Sequence, residues 1–245
     1  ANRTYTGQFI YENLMMEANI INSAYIAGVR KLLFFSSACS YPLNSPQPVK
    51  EDSFLNGRPE PTNISYAAAK IAGVVLCQSY RNQYGCNFIC AVPTNAYGPG
   101  DCFDLKDAHV IPSLIRKFDN AKDSKKKKVV LWGSGRPKRE FIFSEDVARA
   151  SLFLMDKYSS PDIINVGSGD EISIKDLSCL IAKIVGYKGK IVFDAAKPDG
   201  AMRKLLDSSK IKKLGWRPHV RLEDGIKTTY EWFLDMKYKG FYNER

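Results

Sequence analysis

The chain has 245 residues, 44% hydrophobic and 25% charged, with a formal net charge of +10, a composition that suits one large globular domain or two small ones with room for a sizeable core. No apolar run reaches the about 20 residues needed to cross a bilayer. The first residues, ANRTYTGQFIYEN, lack a basic patch leading into an apolar run, so neither an anchor nor a secretory leader is expected.

The first element in chain order is a helix over 8–27, where Phe9, Ile10, Leu14, Met15, Ile20, Ile21 and Ala24 recur at helical spacing and Gly28 suits the stop. KLLFF is a short strand that runs into Ser36, Ser37 and Cys39 and stops at Pro42. Residues 42–63, rich in proline and turn residues, read as a long loop. SYAAAKIAGVVLCQSYRNQYG (65–85) is a strong helix ending in glycine, FICAV (88–92) a strand and PTNAYGPGD a loop. HVIPSLIRKF (109–118) reads as a short helix, KVVLW (128–132) as a strand and GSGRPKRE as a glycine loop. SEDVARASLFLMDK (144–157) is a helix with Ser144 as cap. DIINV is a strand, SIKDLSCLIAKIVG (173–186) a helix capped by Ser173, and KIVFD a strand. Helices near 207–214 and 222–236 close the chain. Strands alternate with helices, so the fold class is α/β with a mostly parallel sheet.

The six cysteines (39, 77, 86, 90, 102 and 179) include no CxxC pair, so neither a zinc site nor a disulfide framework is expected. They read as thiols in a reducing, cytoplasmic setting. Much of the positive charge sits in KDSKKKKVV (122–130), which reads as a solvated loop. No nucleic-acid-reading motif accompanies it, and a basic surface also suits an anionic substrate such as a nucleotide.

Tyr66 and Lys70 carry the chemistry. At i and i+4 they share one helix face. A nearby cation favours tyrosinate and is expected to lower the Tyr66 pKa from about 10 toward working pH, fitting Tyr66 as general acid for a carbonyl under reduction. Alone, YxxxK is weak and matches many ordinary helix surfaces. Here it follows a strand ending in SSACSYP by about one βα unit, and a strand and PTNAYGP come after it. Ligands in open α/β sheets sit outside the carboxyl ends of strands, and a serine there could share a substrate oxygen with the tyrosine.

This order of motifs resembles the extended short-chain dehydrogenase/reductases. PTNAYGPGDCF, DAHVIPSLIRKF, VVLWGSGRPKREFIF, INVGSG, VFDAAKPDGAMRKLLD and LGW are similar, in order and spacing, to the GDP-L-fucose synthase family over essentially the whole chain. The resemblance implies a Rossmann-like parallel sheet with a smaller α/β substrate domain: residues 1–98 and 141–168 for dinucleotide, 99–140 and 169–245 for nucleotide-sugar. It implies epimerisation of GDP-4-keto-6-deoxy-D-mannose at C3 and C5, then C4 reduction with NADP(H). Ser37, Cys39, Tyr66, Lys70 and His109 become the catalytic set, with Cys39 and His109 as base and acid. A thiolate in that role needs a stabilising cationic neighbour. Phe35, Ser36, Ser37, Ala38, Tyr66, Lys70, Pro93, Thr94, Asn95, Ala96 and His109 line the cofactor. Asn95, Lys117, Trp132, Arg139, Asp199 and Lys204 meet the substrate, Arg139 as a fork for diphosphate. Lys117 stands where the family pattern often has arginine. No metal is implied. A homodimer through helices 8–27 and 65–84 is.

Each residue also has a plainer reading. Cys39 suits a buried strand-end thiol, His109 a surface helix start, Trp132 core packing and Arg139 a solvated charge. No GxxGxxG turn opens a helix in these residues. Set against the family, about 70 residues holding three strands are absent, so weak NADPH binding, an open strand edge at 31–36 and aggregation are expected. Rival readings are a non-catalytic nucleotide-sugar-binding paralogue, a nucleic-acid binder driven by charge, and an epimerase–reductase of another 4-keto sugar or a heptose.

Overall fold

A computed structural model describes residues 5–242. Helix α1 (Thr6–Ile26) runs out at Gly28, whose φ of +67° is the left-handed turn glycine adopts without strain. It leads into β1 (Lys31–Phe35). A loop with three short 3₁₀ turns precedes α2 (Ile64–Tyr84), which Gly85 ends at φ +69°. Then come β2 (Asn87–Pro93), β3 (Asn95–Tyr97), α3 (Val110–Asp123), β4 (Lys128–Trp132), β5 (Lys138–Phe143) and α4 (Ser144–Lys157). The remainder is β6 (Ile163–Val166), β7 (Glu171–Ser173), α5 (Ile174–Val185), β8 (Lys190–Asp194), β9 (Arg203–Lys204), α6 (Ser209–Lys213) and α7 (Leu222–Tyr238).

The α/β class with parallel strands is what the structure has, and the differences in detail have physical causes. The PTNAYGP loop contains β3, which pairs parallel with β5 from Asn95↔Phe141 to Tyr97↔Phe143. The glycine loop GSGRPKRE gives way at Lys138 to β5, whose first residues pair with both β7 and β9. Two neighbours override the poor strand propensity of Lys-Arg-Glu. Helix α3 runs five residues past the expected 118, because Phe118, Asp119 and Ala121 stay on its buried face. Ser144 is the first helical residue of α4 rather than its cap, whereas Ser173 does cap α5, accepting from the Asp176 N–H. The helix expected at 207–214 is the shorter α6.

The chain forms two compact units. One takes the chain up to Thr94, with Val147–Gly169 and Leu205–Arg217; the other takes Asn95–Asp146, Asp170–Lys204 and the chain from Pro218 on. Residues 205–217, expected with the nucleotide-sugar domain, thus lie in the first unit. Leu206 bridges Val49, and the Asn165 side chain donates to the carbonyls of Val49 and Asp207. Residues 1–4 and 243–245, at the outer ends of the expected domains, lie outside the described residues.

The first unit is built on the parallel sheet β1-β2-β6, with Phe34 opposite Cys90 and Phe35 opposite Ala91. Its core gathers Ile21, Phe34, Val74, Phe88, Val92 and Ile163. The second unit pairs β4 with β8, joins β3, β5, β7 and β9, and packs Phe103, Ile115, Phe118, Leu177, Ile181 and Phe233. Buried Asp119 accepts from Tyr230 at 2.8 Å and from Lys237 at 2.5 Å, fastening α3 to α7.

Gly73 lets α1, α2 and β1 close up. A Cβ there would sit inside the contact radius of the Phe34 ring and 2.8 Å from Glu17 Oε2. Alanine gains about 1 kcal/mol of helix propensity, but overpacking a core costs about 1–3 kcal/mol. Gly73→Ala is therefore expected to lower the melting temperature, by about 2–4 °C per kcal/mol of net loss; a melt that rises would show that Phe34 yields freely.

Candidate active site

The first unit brings together Ser37, Cys39, Tyr66 and Lys70. β1 ends at Phe35, and the backbone turns through a single 3₁₀ turn at Ala38–Ser40 that Ser37 caps, its Oγ accepting from the Cys39 N–H at 3.2 Å. Tyr66 lies in the first turn of α2 and Lys70 one turn on. The Tyr66 ring meets Phe9 of α1 edge-on at 5.8 Å, and its hydroxyl is hydrogen-bonded to Ser37. Lys70 Nζ donates to the Phe35 carbonyl at 3.1 Å and lies 5.7 Å from the Tyr66 ring centroid.

The electrostatics differ from the expectation for Tyr66. Its pKa is raised, not lowered. Burial comes first, the neighbouring Cys39 adds to it, the Ser37 hydrogen bond pulls the other way, and Glu17 raises it further. Lys70 is already paired: its ammonium lies 2.9 Å from Glu17 Oε1. Tyr66 is thus held as a proton-bearing phenol.

Of the two serines after β1, only Ser37 faces Tyr66. Ser36 is buried, its hydroxyl bonded to that of Ser40 at 3.0 Å, so it can offer a ligand little beyond its backbone. Phe35 is exposed and Ala38 packs partly on the core. At the end of β2, Thr94 is buried and donates its N–H to Val166. Cys39 is half-buried, and the Asn63 amide donates to its sulfur at 3.0 Å.

The second unit holds the other candidates. His109 is exposed at the N-terminal boundary of α3, its carbonyl accepting from Ser113. Asn95, exposed on β3, donates its amide to the Glu140 carbonyl at 2.9 Å, so part of its hydrogen-bonding capacity ties β3 to β5. Ala96 follows it, exposed. Arg139 and Lys204 sit opposite each other where β5 pairs with β9. Burial lowers the Arg139 pKa, with Asp199 acting against it. Both Asp199 oxygens accept from Ser134, at 2.8 Å from its N–H and 2.7 Å from its hydroxyl. The Ser134 hydroxyl and then its N–H hold that carboxyl below the usual range. Gly133, at φ +84°, makes the approach possible, since a Cβ there would collide with Asp199.

Trp132, at the end of β4, is 76% exposed, which overturns a core-packing role; Lys197 Nζ lies 5.8 Å from its ring centroid. Lys117 does not join this group. It lines a cavity of about 650 Å³ with Asn120, Lys126, Lys128, Val130 and Tyr242, none of them candidates, and burial lowers its pKa. The lysine run fills the exposed turn between α3 and β4 and enters β4 at Lys128, with Lys126 and Lys128 lining that cavity.

Three residues here escaped the sequence reading. Glu17 had one signal, since it shares the i, i+4, i+7 register of buried Ile21 and Ala24. Asn63 and Ser134 had none, because each meets its partner across elements.

Comparison with known proteins adds to this geometry. Residues 1–167 match the family described as the NAD dependent epimerase/dehydratase family. The chain is 52% identical to the GDP-L-fucose synthase of Sinorhizobium fredii over 96% of its own length and 74% of that protein's. It superposes on the NADP-bound GDP-L-fucose synthetase of Naegleria fowleri with a TM-score of 0.93 at 31% identity, covering 97% of this chain and 76% of that one. A GDP-mannoheptose C4 reductase of Campylobacter jejuni with NADP bound superposes with a TM-score of 0.85 at 40% identity, covering 96% and 77%.

Proposed function

We infer, for a chain that belongs to the NAD dependent epimerase/dehydratase family and within it to the GDP-L-fucose synthases, that it converts GDP-4-keto-6-deoxy-D-mannose to GDP-L-fucose with NADPH. The observation that carries the reading to the residues is the cluster of Ser37, Cys39, Tyr66 and Lys70 at the carboxyl end of β1.

The chemistry follows from the ketone. The C4 carbonyl acidifies the protons on C3 and C5. Cys39 and His109 exchange those protons, one taking from one face and the other returning to the opposite face. The Asn63 amide donates to the Cys39 sulfur and fixes its position after the 3₁₀ turn. Ser37 and Tyr66 then hold the C4 oxygen, and Tyr66 gives it a proton as the carbon is reduced. NADPH, when bound, supplies the hydride. The residues present suit its nicotinamide end: Phe35 is exposed beside Lys70, whose ammonium at the strand end has the chemistry to grip ribose hydroxyls. Arg139 meets the diphosphate, Trp132 packs on sugar or base, Asp199 accepts hydrogen bonds from ribose or base, and Lys204 adds positive charge, while Lys117 keeps to its separate cavity. The six free thiols fit a reducing, cytoplasmic setting. No described helix is long and apolar enough to cross a membrane.

The test is NADPH oxidation by the purified protein, followed by absorbance, with GDP-4-keto-6-deoxy-D-mannose and with a GDP-4-keto-heptose. Turnover of the deoxyhexose with GDP-L-fucose as product supports the reading. Turnover of the heptose alone supports the second reading, which the likeness to the mannoheptose reductase favours.

The same reading includes a homodimer through α1 and α2. Met15, Met16, Ile20 and Ile26 on α1 and Val75 on α2 are exposed, and the Tyr25 and Tyr84 rings stack at 4.3 Å between the helices. Such a face suits a second copy of itself. Light scattering on a sizing column is expected to give twice the chain mass, and Ile20→Asp to give the monomer; a monomeric unsubstituted protein contradicts the dimer.

A further inference from the structure

Glu17 sits midway along α1, 5% exposed, facing α2. Its Oε1 is 2.9 Å from Lys70 Nζ, close but off the line of a hydrogen bond, and Oε2 has no hydrogen-bond partner. Around it lie the Phe34 ring and the space left by the missing side chain of Gly73. Lys70 Nζ is also 5.1 Å from the Phe34 ring centroid and donates to the Phe35 carbonyl.

A buried ion pair is a poor device for stability. Its desolvation roughly cancels its attraction, and well-packed apolar residues of similar size often do as well or better. A carboxylate oxygen buried without a hydrogen bond adds to the cost. What the pair does supply is position. Lysine carries its charge on a flexible four-carbon stem. Here an anion on one side, a carbonyl on another and a ring face on a third leave the ammonium one place to sit, on the helix face it shares with Tyr66.

We propose that Glu17 is a positioning residue for the ketone reduction, its carboxylate holding the Lys70 ammonium beside Tyr66 at the carboxyl end of β1. The role rests on the reading that Tyr66 and Lys70 work the ketone. It acts through Lys70 and touches no reactant.

The charged and titratable groups around Tyr66 are Cys39, Lys70 and Glu17, with the Ser37 hydroxyl bonded to it. Glu17 is among the influences that raise the Tyr66 pKa. The phenol is the active, protonated form, so activity is lost as pH rises through its pKa. Removing the Glu17 charge lowers that pKa, and the alkaline limb moves toward lower pH.

The experiment compares the purified protein with Glu17→Gln, Glu17→Asp and Tyr66→Phe. Single-turnover NADPH oxidation is followed across pH, acetic anhydride labelling of Lys70 is read by peptide mass spectrometry, and melts are recorded. In Glu17→Gln the rate is expected to fall about tenfold, as the Lys70 ammonium loses the buried anion that places it. Its alkaline limb moves acid and Lys70 labels several-fold faster, with the melts showing how much stability the unpaired ammonium costs, whereas Glu17→Asp keeps the limb near its original place. A Glu17→Gln enzyme with unmoved limb and unmoved Lys70 labelling overturns the role, whether or not its rate or stability falls. If Tyr66→Phe reduces at the unsubstituted rate, the reading of the site fails and the role with it; if Tyr66→Phe is impaired and Glu17→Gln shows none of the shifts, only the role fails.

Discussion

Tyr66→Phe is expected to lower the rate of NADPH-dependent ketone reduction by about 10²–10⁴-fold, the usual worth of a positioned proton donor. The substitution removes one oxygen. Phenylalanine keeps the ring against Phe9, so the start of α2 keeps its packing. The C4 oxygen keeps Ser37 as a partner, and the KM for the nucleotide-sugar should change little, because most of the sugar nucleotide's contacts are assigned to other residues. A loss in kcat with KM held marks an interaction made in the transition state alone. Burial, Cys39 and Glu17 outweigh the Ser37 hydrogen bond and keep the Tyr66 pKa above its ordinary value. The proton donation by Tyr66 is therefore kept through neutral pH and lost only on the alkaline side. Steady-state kinetics from about pH 6 to 11, past the ordinary tyrosine value of about 10, check both statements; a fully active phenylalanine variant contradicts the acid role.

Cys39→Ser is expected to abolish epimerisation by about the same factor while leaving hydride transfer in place. A hydroxyl is isosteric enough for the half-buried position after the 3₁₀ turn, but it is a far weaker acid than a thiol and is almost never the anion at neutral pH. The variant then sees only unepimerised ketone. NADPH oxidation slows, and whatever product forms keeps the C3 and C5 configuration of its substrate. Chromatography of the products against GDP-L-fucose reads this directly. GDP-L-fucose formed at the normal rate assigns the proton transfers to another group.

The parts of this molecule legible in the sequence are those set by neighbours along the chain. The i, i+4 spacing of Tyr66 and Lys70 puts both on one face of α2, and Gly28 and Gly85 stop their helices at positive φ. β3 is hidden because Asn-Ala-Tyr between Pro and Gly has turn chemistry, and only its pairing with Phe141–Phe143 makes it a strand. The charged start of β5 is hidden for the same reason. In the site, the expectation for Tyr66 had the wrong sign because it counted Lys70 and left out burial and Glu17, a residue far from it in sequence. Likewise, two serines after a strand look equivalent until Ser36 is found bonded to Ser40.

The most direct test of the central claim is the reaction run in D₂O with unlabelled NADPH, the product read by NMR. The account predicts GDP-L-fucose carrying solvent deuterium at C3 and C5 and hydrogen at C4. A reduced product without deuterium at either carbon, in the configuration of the starting sugar, would contradict it and leave a simple C4 reductase.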